Sequence, residues 1–369
     1  MQISKLYIDK HVADFPDTLT IQEKLQVPFE IIHDIRNIFE IVNASDDPVQ
    51  KGKEILYLTR NKGAFLKDCP GTHHYTCCGY KILHIGSFCT MDCSYCILQE
   101  YFHPPVLQYF VNKEDLFSEL DMVFKKKEIS RIGTGEFTDS LIWEKMTNLT
   151  EELVNRFAAQ DRAVLELKTK TVSIKGLKEL DHNRKTIASW SLNTEKIINS
   201  EERNTTSLSA RLKAAAKCES WGYPLAFHFD PIVIYEGCEE EYIKVIDSIF
   251  SHVSSENIVW ISLGTFRYIP TLKETIQKRF PDSKIVYGEF IKGIDGKKRY
   301  FKPIRLEIYK RIVSYIKEIA PEVLVYFCME DDEVWKKTMG FCPEEKHSLS
   351  KMLDESAVKV CKINSDYLK

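Results

Sequence analysis

From about Tyr80 the chain alternates two kinds of hydrophobic pattern. Short apolar, β-rich runs are KILHIG, RIGTG, AVLELKTK, IASWSLN, LAFHFDPIVI and NIVWISLG. Between them lie stretches whose apolar residues recur with the helical period: VNKEDLFSELDMVFKKK, SLIWEKMTNLTEELVNRFAA, SLSARLKAAAKCESWGYP, EEEYIKVIDSIFSHV and TLKETIQKRFP. One of these helices has a clear stop, Gly222 followed by Pro224. KIVYGEF, RLEIYKRIVSYIKEIAP and VLVYFCM close the series. Repeated βα units predict an α/β fold, a parallel sheet with helices outside it. The number of units predicts a full or partial (β/α) TIM-like barrel, with active groups at the C-terminal ends of its strands.

The first ~75 residues read differently by the same periodicity test. They open with a strand-like KLYIDK, continue with helical stretches around Glu23–Ile41 and end in a charged loop. The expected organisation is an N-terminal α/β extension over residues 1–78, the barrel over 79–330, and a C-terminal helical extension over 331–369 packed around Trp335. No repeat, low-complexity tract or Pro/Gly-rich linker interrupts the chain.

Composition narrows the class only slightly. Of 369 residues, 44% are apolar and 28% charged, enough for a sizeable core. The formal net charge of -3 excludes a polycation, so contact with nucleic acid needs a local basic face. No apolar run reaches the ~18 residues of a membrane span, and the N-terminus lacks a secretory signal. The expectation is a cytoplasmic protein with no membrane contact. The odd number of cysteines, 11 in a long chain, fits a disulfide framework poorly and turns attention to metal or redox chemistry.

Three of the cysteines form a motif directly after the first barrel strand. GSFCTMDCSYCILQEYF spaces them as Cys89-x3-Cys93-x2-Cys96. Three thiolates on one short loop suit three irons of a 4Fe–4S cubane, where four protein ligands are the rule. The unliganded iron is then open to the amino and carboxylate groups of S-adenosylmethionine (SAM). The competing reading is structural zinc, which wants four ligands; Cys69, Cys77, Cys78, His73 or His74 are available for the fourth. The loop's place after a barrel strand favours the cluster, and an aromatic residue before the third cysteine, here Tyr95, is the usual occupant in radical SAM enzymes.

The likeness extends beyond the loop. KLYIDK, CSYCILQ, YFVNKEDL, LELKTK, SWSLN, RLKAAAKCESWGYPLAFHFDPIVIYEGCEEEY and GKKRYFKPIRLEIY resemble the spore photoproduct lyase family of radical SAM enzymes over roughly residues 5–330. Members reverse a thymine–thymine photoadduct in spore DNA. The resemblance implies the partial barrel of the radical SAM type. It also implies a cluster on Cys89, Cys93 and Cys96, with Lys170, Ser191 and Asn193 near SAM. An external one-electron reductant such as flavodoxin or ferredoxin is implied as a partner.

Two positions depart from the family. The place of its hydrogen-donor cysteine is taken by Glu136, and the tyrosine after the third cluster cysteine is Ile97. Tyr95, the other relay tyrosine, remains. Within GTGEFTD, Glu136 resembles the acidic partner that other radical SAM enzymes offer the SAM ammonium, with Thr138 and Asp139 close enough to help. The plainer reading of Glu136 is a strand-end carboxylate paired with a base. Cys238 and Cys328 are the thiols put forward to return hydrogen in place of the lost cysteine. Cys238 follows a strand and is the better placed; its plainer reading is helix-start packing.

Two further features are weaker. Cys69, Cys77 and Cys78, with Cys342 or His73, offer donors for an auxiliary metal site, but their spacing matches no cluster pattern. The segment KGIDGKKRYFKPIR mixes basic and aromatic residues, which suits phosphates and stacked bases. Lys297, Lys298 and Arg299 are the candidate DNA contacts there, against the plainer reading of a solvated hairpin. Three function classes follow: a radical SAM enzyme on a nucleic-acid base, one on a peptide or small molecule, and a metal-bearing binding protein without SAM turnover.

Overall fold

The structure is a computed structural model that describes residues 3–71 and 75–368. Its centre is an eight-stranded sheet. Seven strands run parallel in chain order: Lys81–Leu83, Ser130–Gly133, Ala163–Thr169, Thr186–Ser191, Leu225–Ile232, Ile258–Thr265 and Val325–Phe327. The eighth, Leu66–Asp68, adds antiparallel to the first at one edge. Helices such as Leu149–Ala158, Leu208–Ser220, Cys238–His252 and Lys302–Ile319 connect the parallel strands, each long enough to cover the sheet it leaves and rejoins.

Alternation along the strands separates two faces. Leu165, Leu167 and Trp190 join the main core on the helix side. Glu166 and Lys168 point the other way. The Glu166 carboxylate reaches His228 at 2.6 Å and lies 3.4 Å from the Trp260 indole nitrogen. Those partners sit two and three strands away in the sheet order. Only a concave face brings strands so far apart within bonding distance, so the sheet curls into a partial barrel and Glu166 lies inside it.

The barrel's open seam is closed by the chain before its first strand. The Thr76 amide donates to the Glu330 carbonyl at 3.3 Å, beyond the last parallel strand. At the N-terminal end of the strands, the helix Leu349–Cys361 is anchored by Arg131, which binds Asp354 at 2.7 Å, the Ser350 hydroxyl at 2.8 Å and the Cys78 carbonyl at 2.6 Å.

A second sheet of five strands stands beside the barrel, in the order Phe29–Ile32, Lys5–Asp9, Ile55–Thr59, Leu107–Phe110, Gly86–Ser87. Two differences from the periodicity reading appear here. The segment Glu23–Ile41 is not continuous helix, because the strand Phe29–Ile32 separates Pro16–Leu25 from Arg36–Asn43. The left-handed Gln26 ends the first helix, and Pro28 follows. The chain after Ile41 also holds a fully buried strand, ILYLT, rather than only a charged loop. The extension over residues 1–78 does not close on itself, since Leu107–Phe110 pairs with Ile55–Thr59 and Gly86–Ser87. Later in the chain, KIVYGEF is not a barrel strand. It is turn and irregular chain that leads into a hairpin, Phe290–Lys292 with Lys298–Tyr300, which pairs with Arg267–Tyr268.

Candidate active site

The cysteine loop leaves the first barrel strand and is held from several sides. Cys93 pairs with Glu202 in a short antiparallel ladder, and the Ser94 amide donates to the Glu201 carbonyl at 2.8 Å. The Gln99 amide donates to the carbonyls of Ser94 at 2.8 Å and Cys96 at 3.1 Å. Arg279 binds Asp92 at 3.1 Å and Asp47 at 2.9 Å, and Lys53 binds Asp92 at 3.1 Å. These charges are largely buried and paired, which is what buried ions require. The loop shape is therefore set by protein contacts.

The three thiols fit an iron–sulfur cluster. Burial is the main cause pushing Cys89 up to about 12, and burial also raises Cys93. Cys96 adds to both shifts, so the three sulfurs lie within electrostatic reach of one another. Cys89 and Cys93, desolvated and raised by neighbouring sulfur, need a cationic group to become thiolates together. Among the described residues, no three His, Cys, Asp or Glu side chains gather to hold a single metal ion. That spacing does not bear on a cubane, whose ligands bind different irons and need not meet at one point. It does leave the auxiliary site of Cys69, Cys77, Cys78 and Cys342 unassembled. His73 and His74 lie outside the described residues.

The loop after the second parallel strand is tied to the cysteine loop by the Phe88 amide, which donates to the Phe137 carbonyl at 2.9 Å. Glycines make this possible. A Cβ on Gly133 would sit 1.6 Å from the Tyr80 hydroxyl, and one on Gly135 would sit 2.9 Å from the Lys168 carbonyl. Glu136 forms an ion pair with Lys168, so the plainer reading of Glu136 describes its contact here. Asp139 accepts from the Thr169 hydroxyl at 2.8 Å and the Lys170 amide at 2.9 Å. It positions the backbone of Lys170 rather than offering a free carboxylate. Thr138 is 3% exposed, and its hydroxyl has no partner within the protein.

Lys170 extends toward the cysteine loop. Its ammonium lies 5.7 Å from the Tyr95 ring centre and lowers the cost of ionising Cys93. Thr206 fixes the Lys170 carbonyl through its hydroxyl at 2.8 Å. Tyr95 donates its hydroxyl to Glu202, which also accepts from Arg211 at 2.6 Å. Ser191 is buried on the fourth parallel strand, its carbonyl held by Arg211 at 2.9 Å. The Ser189 hydroxyl, one step back on the same face and in register with Lys168, is buried and unpartnered. Sequence reasoning missed it.

Other expected residues stand apart from this group. The Asn193 amide donates to the Pro231 carbonyl at 2.8 Å and accepts from the Tyr242 hydroxyl at 2.7 Å, so it braces two strand ends. Cys238 is 0% exposed in the main core at a helix start, which is the packing role. In the hairpin, Arg299 is 2% exposed and turned inward. It binds Asp295 at 2.6 Å and the Met329 carbonyl at 3.2 Å, with its guanidinium 4.4 Å from the Tyr75 ring centre. Arg299 is thus a framework residue, not a phosphate contact. Lys297 and Lys298 keep partial exposure.

A family model described as spore photoproduct lyase matches residues 76–328. The chain belongs to the spore photoproduct lyase family. That makes it a radical SAM enzyme of the lyase class. It is 28% identical over 237 residues to the spore photoproduct lyase of Bacillus subtilis (strain 168), covering 63% of this chain and 67% of the relative. The spore photoproduct lyase of Clostridium acetobutylicum is 22% identical over 287 residues, covering 72% and 83%. Among solved structures, a spore photoproduct lyase mutant superposes with a TM-score of 0.79 at 21% identity, over 89% of this chain and 99% of that one. Another mutant, with bound AdoMet and dinucleoside spore photoproduct, superposes with a TM-score of 0.76 at 21% identity and the same coverage. At that identity the superpositions show the shared fold, a partial barrel. Among the described residues no helix is long and apolar enough to cross a membrane.

Proposed function

We propose that Cys89, Cys93 and Cys96 hold a 4Fe–4S cluster whose open iron takes SAM, and that the enzyme acts on a thymine photolesion in DNA. When bound, cluster and SAM supply a 5′-deoxyadenosyl radical by one-electron cleavage. The observation that carries this reading is three free cysteines on one short loop, with Cys93 buried and Cys89 and Cys96 partly exposed, joined to the Glu136 loop by the Phe88–Phe137 bond.

The chain's own residues do the positioning. Lys170, beside Cys93, is suited to a SAM carboxylate. The unpartnered Thr138 and Ser189 hydroxyls are donors waiting for a polar ligand, since buried polar groups are otherwise satisfied. Ser191 lines the same interior face, two residues beyond Ser189. Glu136 meets the SAM ammonium by leaving Lys168 or by sharing itself between the two cations. Tyr95 stands over Lys170 with its hydroxyl engaged by Glu202. Asn193 acts by bracing the strand ends. An electron arrives from a flavodoxin- or ferredoxin-type reductant. DNA is drawn to Lys297 and Lys298 on the hairpin, where phosphate contacts are salt-dependent.

The test is anaerobic reconstitution with iron and sulfide, followed by reduction with SAM. Wild type is expected to release 5′-deoxyadenosine and Cys93→Ala is not. A protein that holds zinc and no cluster under these conditions overturns the reading. Repair of dinucleoside spore photoproduct then tests the substrate; cleavage of SAM without repair moves the substrate to another class, a peptide or small molecule.

A further inference from the structure

We propose that Cys69 is the hydrogen-atom donor that quenches the substrate radical in this enzyme. The inference rests on the radical SAM reading above and assigns its last step. A carbon radical that is to end as a C–H bond needs a weaker X–H bond nearby. The S–H bond is among the weakest that side chains offer and gives its hydrogen atom to carbon radicals rapidly, so the donor is sought among the thiols.

Structure removes most of them. Cys89, Cys93 and Cys96 belong to the cluster loop. Cys218, Cys238 and Cys361 are wholly buried in the main core. Cys342 lies in the C-terminal extension, 3.5 Å from the Asp332 carbonyl. Cys77 is exposed and turned back on the Gly79 amide at 3.4 Å. Cys328 is engaged by Arg267 at 3.4 Å, a guanidinium that also binds Asp230 at 3.1 Å. Cys69 and Cys78 remain.

Strand register separates these two. The edge strand Leu66–Asp68 pairs antiparallel with Lys81–Leu83, and the ladder continues as the Cys69 amide donates to the Tyr80 carbonyl at 3.0 Å. Cys69 therefore shares a face with Lys67 and with Tyr80 opposite it. That face is the barrel interior. The Tyr80 hydroxyl lies against Gly133, and the Lys67 ammonium is 3.0 Å from His84 and 5.5 Å from the Phe137 ring centre. The Cys69 thiol lies within electrostatic reach of both Glu136 and Lys168, and the buried, unpartnered Ser189 hydroxyl stands in register with Lys168 on the same interior face. Cys78 also feels Glu136, but its nearest cation is Arg131, which holds its carbonyl at 2.6 Å, rather than Lys168. Burial, followed by Glu136 and Cys78, pushes Cys69 up to about 12. It is thus a thiol at neutral pH and carries the hydrogen to be given.

In the step, the Cys69 S–H bond breaks homolytically. Its hydrogen atom forms the new C–H bond and the unpaired electron stays on Sγ. One electron from the flavodoxin- or ferredoxin-type reductant and one solvent proton restore the thiol.

The test uses the full chain, reconstituted, with dinucleoside spore photoproduct as probe. Cys69→Ala should release 5′-deoxyadenosine with SAM as wild type does, yet lose about tenfold or more of repair. In D2O, wild type should place deuterium in the repaired thymine and Cys69→Ala should not. Cys78→Ala and Cys328→Ala should keep both repair and label. On unreconstituted wild type, alkylation of Cys69 by N-ethylmaleimide, read by peptide mass spectrometry, should slow when the dinucleoside is added. Repair and deuterium uptake by Cys69→Ala at wild-type levels overturn the proposal. If that variant fails to take up iron, the alkylation decides, and no protection by the dinucleoside sinks it. Absence of 5′-deoxyadenosine from wild type removes the underlying reading, a different failure from loss of repair alone.

Discussion

At the scale of residues, the site depends on side chains that never meet a ligand. Arg279 joins three segments distant in sequence through Asp47, Gln99 and Asp92. Arg279→Ala leaves buried Asp92 with Lys53 as its one remaining cation and frees the partly exposed Asp47, and the lost buried contacts should destabilise the loop. A urea midpoint that falls accordingly, with lower iron uptake on reconstitution, is the expected result; unchanged values would show that the loop holds its shape without Arg279. His84 offers a pH test. Burial, helped by Lys67, lowers its pKa from 6.5 to about 3. Between those values the unfolded chain binds the proton and the folded chain does not, so stability is intact above pH 6.5 and is lost as pH falls toward 3. In a His84→Phe variant, that part of the pH dependence should disappear from urea titrations.

At the scale of elements, glycine spacing lets a strand end carry chemistry. Gly133 and Gly135 admit Tyr80 and the Lys168 backbone, and so set Glu136 on the same loop as Thr138. Gly133→Ala drives a methyl into the Tyr80 hydroxyl, and overpacking of this kind costs about 1–3 kcal/mol. The melting temperature should drop and partly recover in Gly133→Ala with Tyr80→Ala; no recovery would place the strain elsewhere. The hairpin makes a sharper distinction. Lys298→Ala should reduce the salt dependence of DNA binding by about one unit of slope with little effect on melting. Arg299→Ala should do the reverse, lowering the melting temperature, because its guanidinium is inside the fold. Equal effects on DNA binding from both would contradict the inward placement of Arg299.

At the scale of the molecule, barrel, N-terminal sheet and C-terminal helix are interlocked. Leu107–Phe110 leaves the barrel to complete the N-terminal sheet, and Asp354 and Ser350 return to the barrel to satisfy Arg131. A chain cut after residue 330 leaves Arg131 buried with only the Cys78 carbonyl and uncovers the core under Leu353 and Ala357. It should express poorly or melt well below the full chain, as read by calorimetry. A truncated chain as stable as the whole would show that residues 331–369 are dispensable.

The periodicity of the βα units, the Cys89-x3-Cys93-x2-Cys96 spacing and the segments shared with the lyases were legible in the sequence, because each is a local pattern. The strands Phe29–Ile32 and Ile55–Thr59 were not. A short run of buried or edge residues carries no period of its own, and its partners lie elsewhere in the chain. The same holds for side-chain roles. Spacing marks Glu136, Asn193 and Arg299 as polar residues near promising motifs, but whether each faces a ligand or a neighbour depends on contacts across the curled sheet. That curl brings Glu166 to His228, Lys168 to Glu136, and Cys69 to the interior face. Tertiary structure alone decides these pairings, because they join residues whose distance in space bears no relation to their distance along the chain.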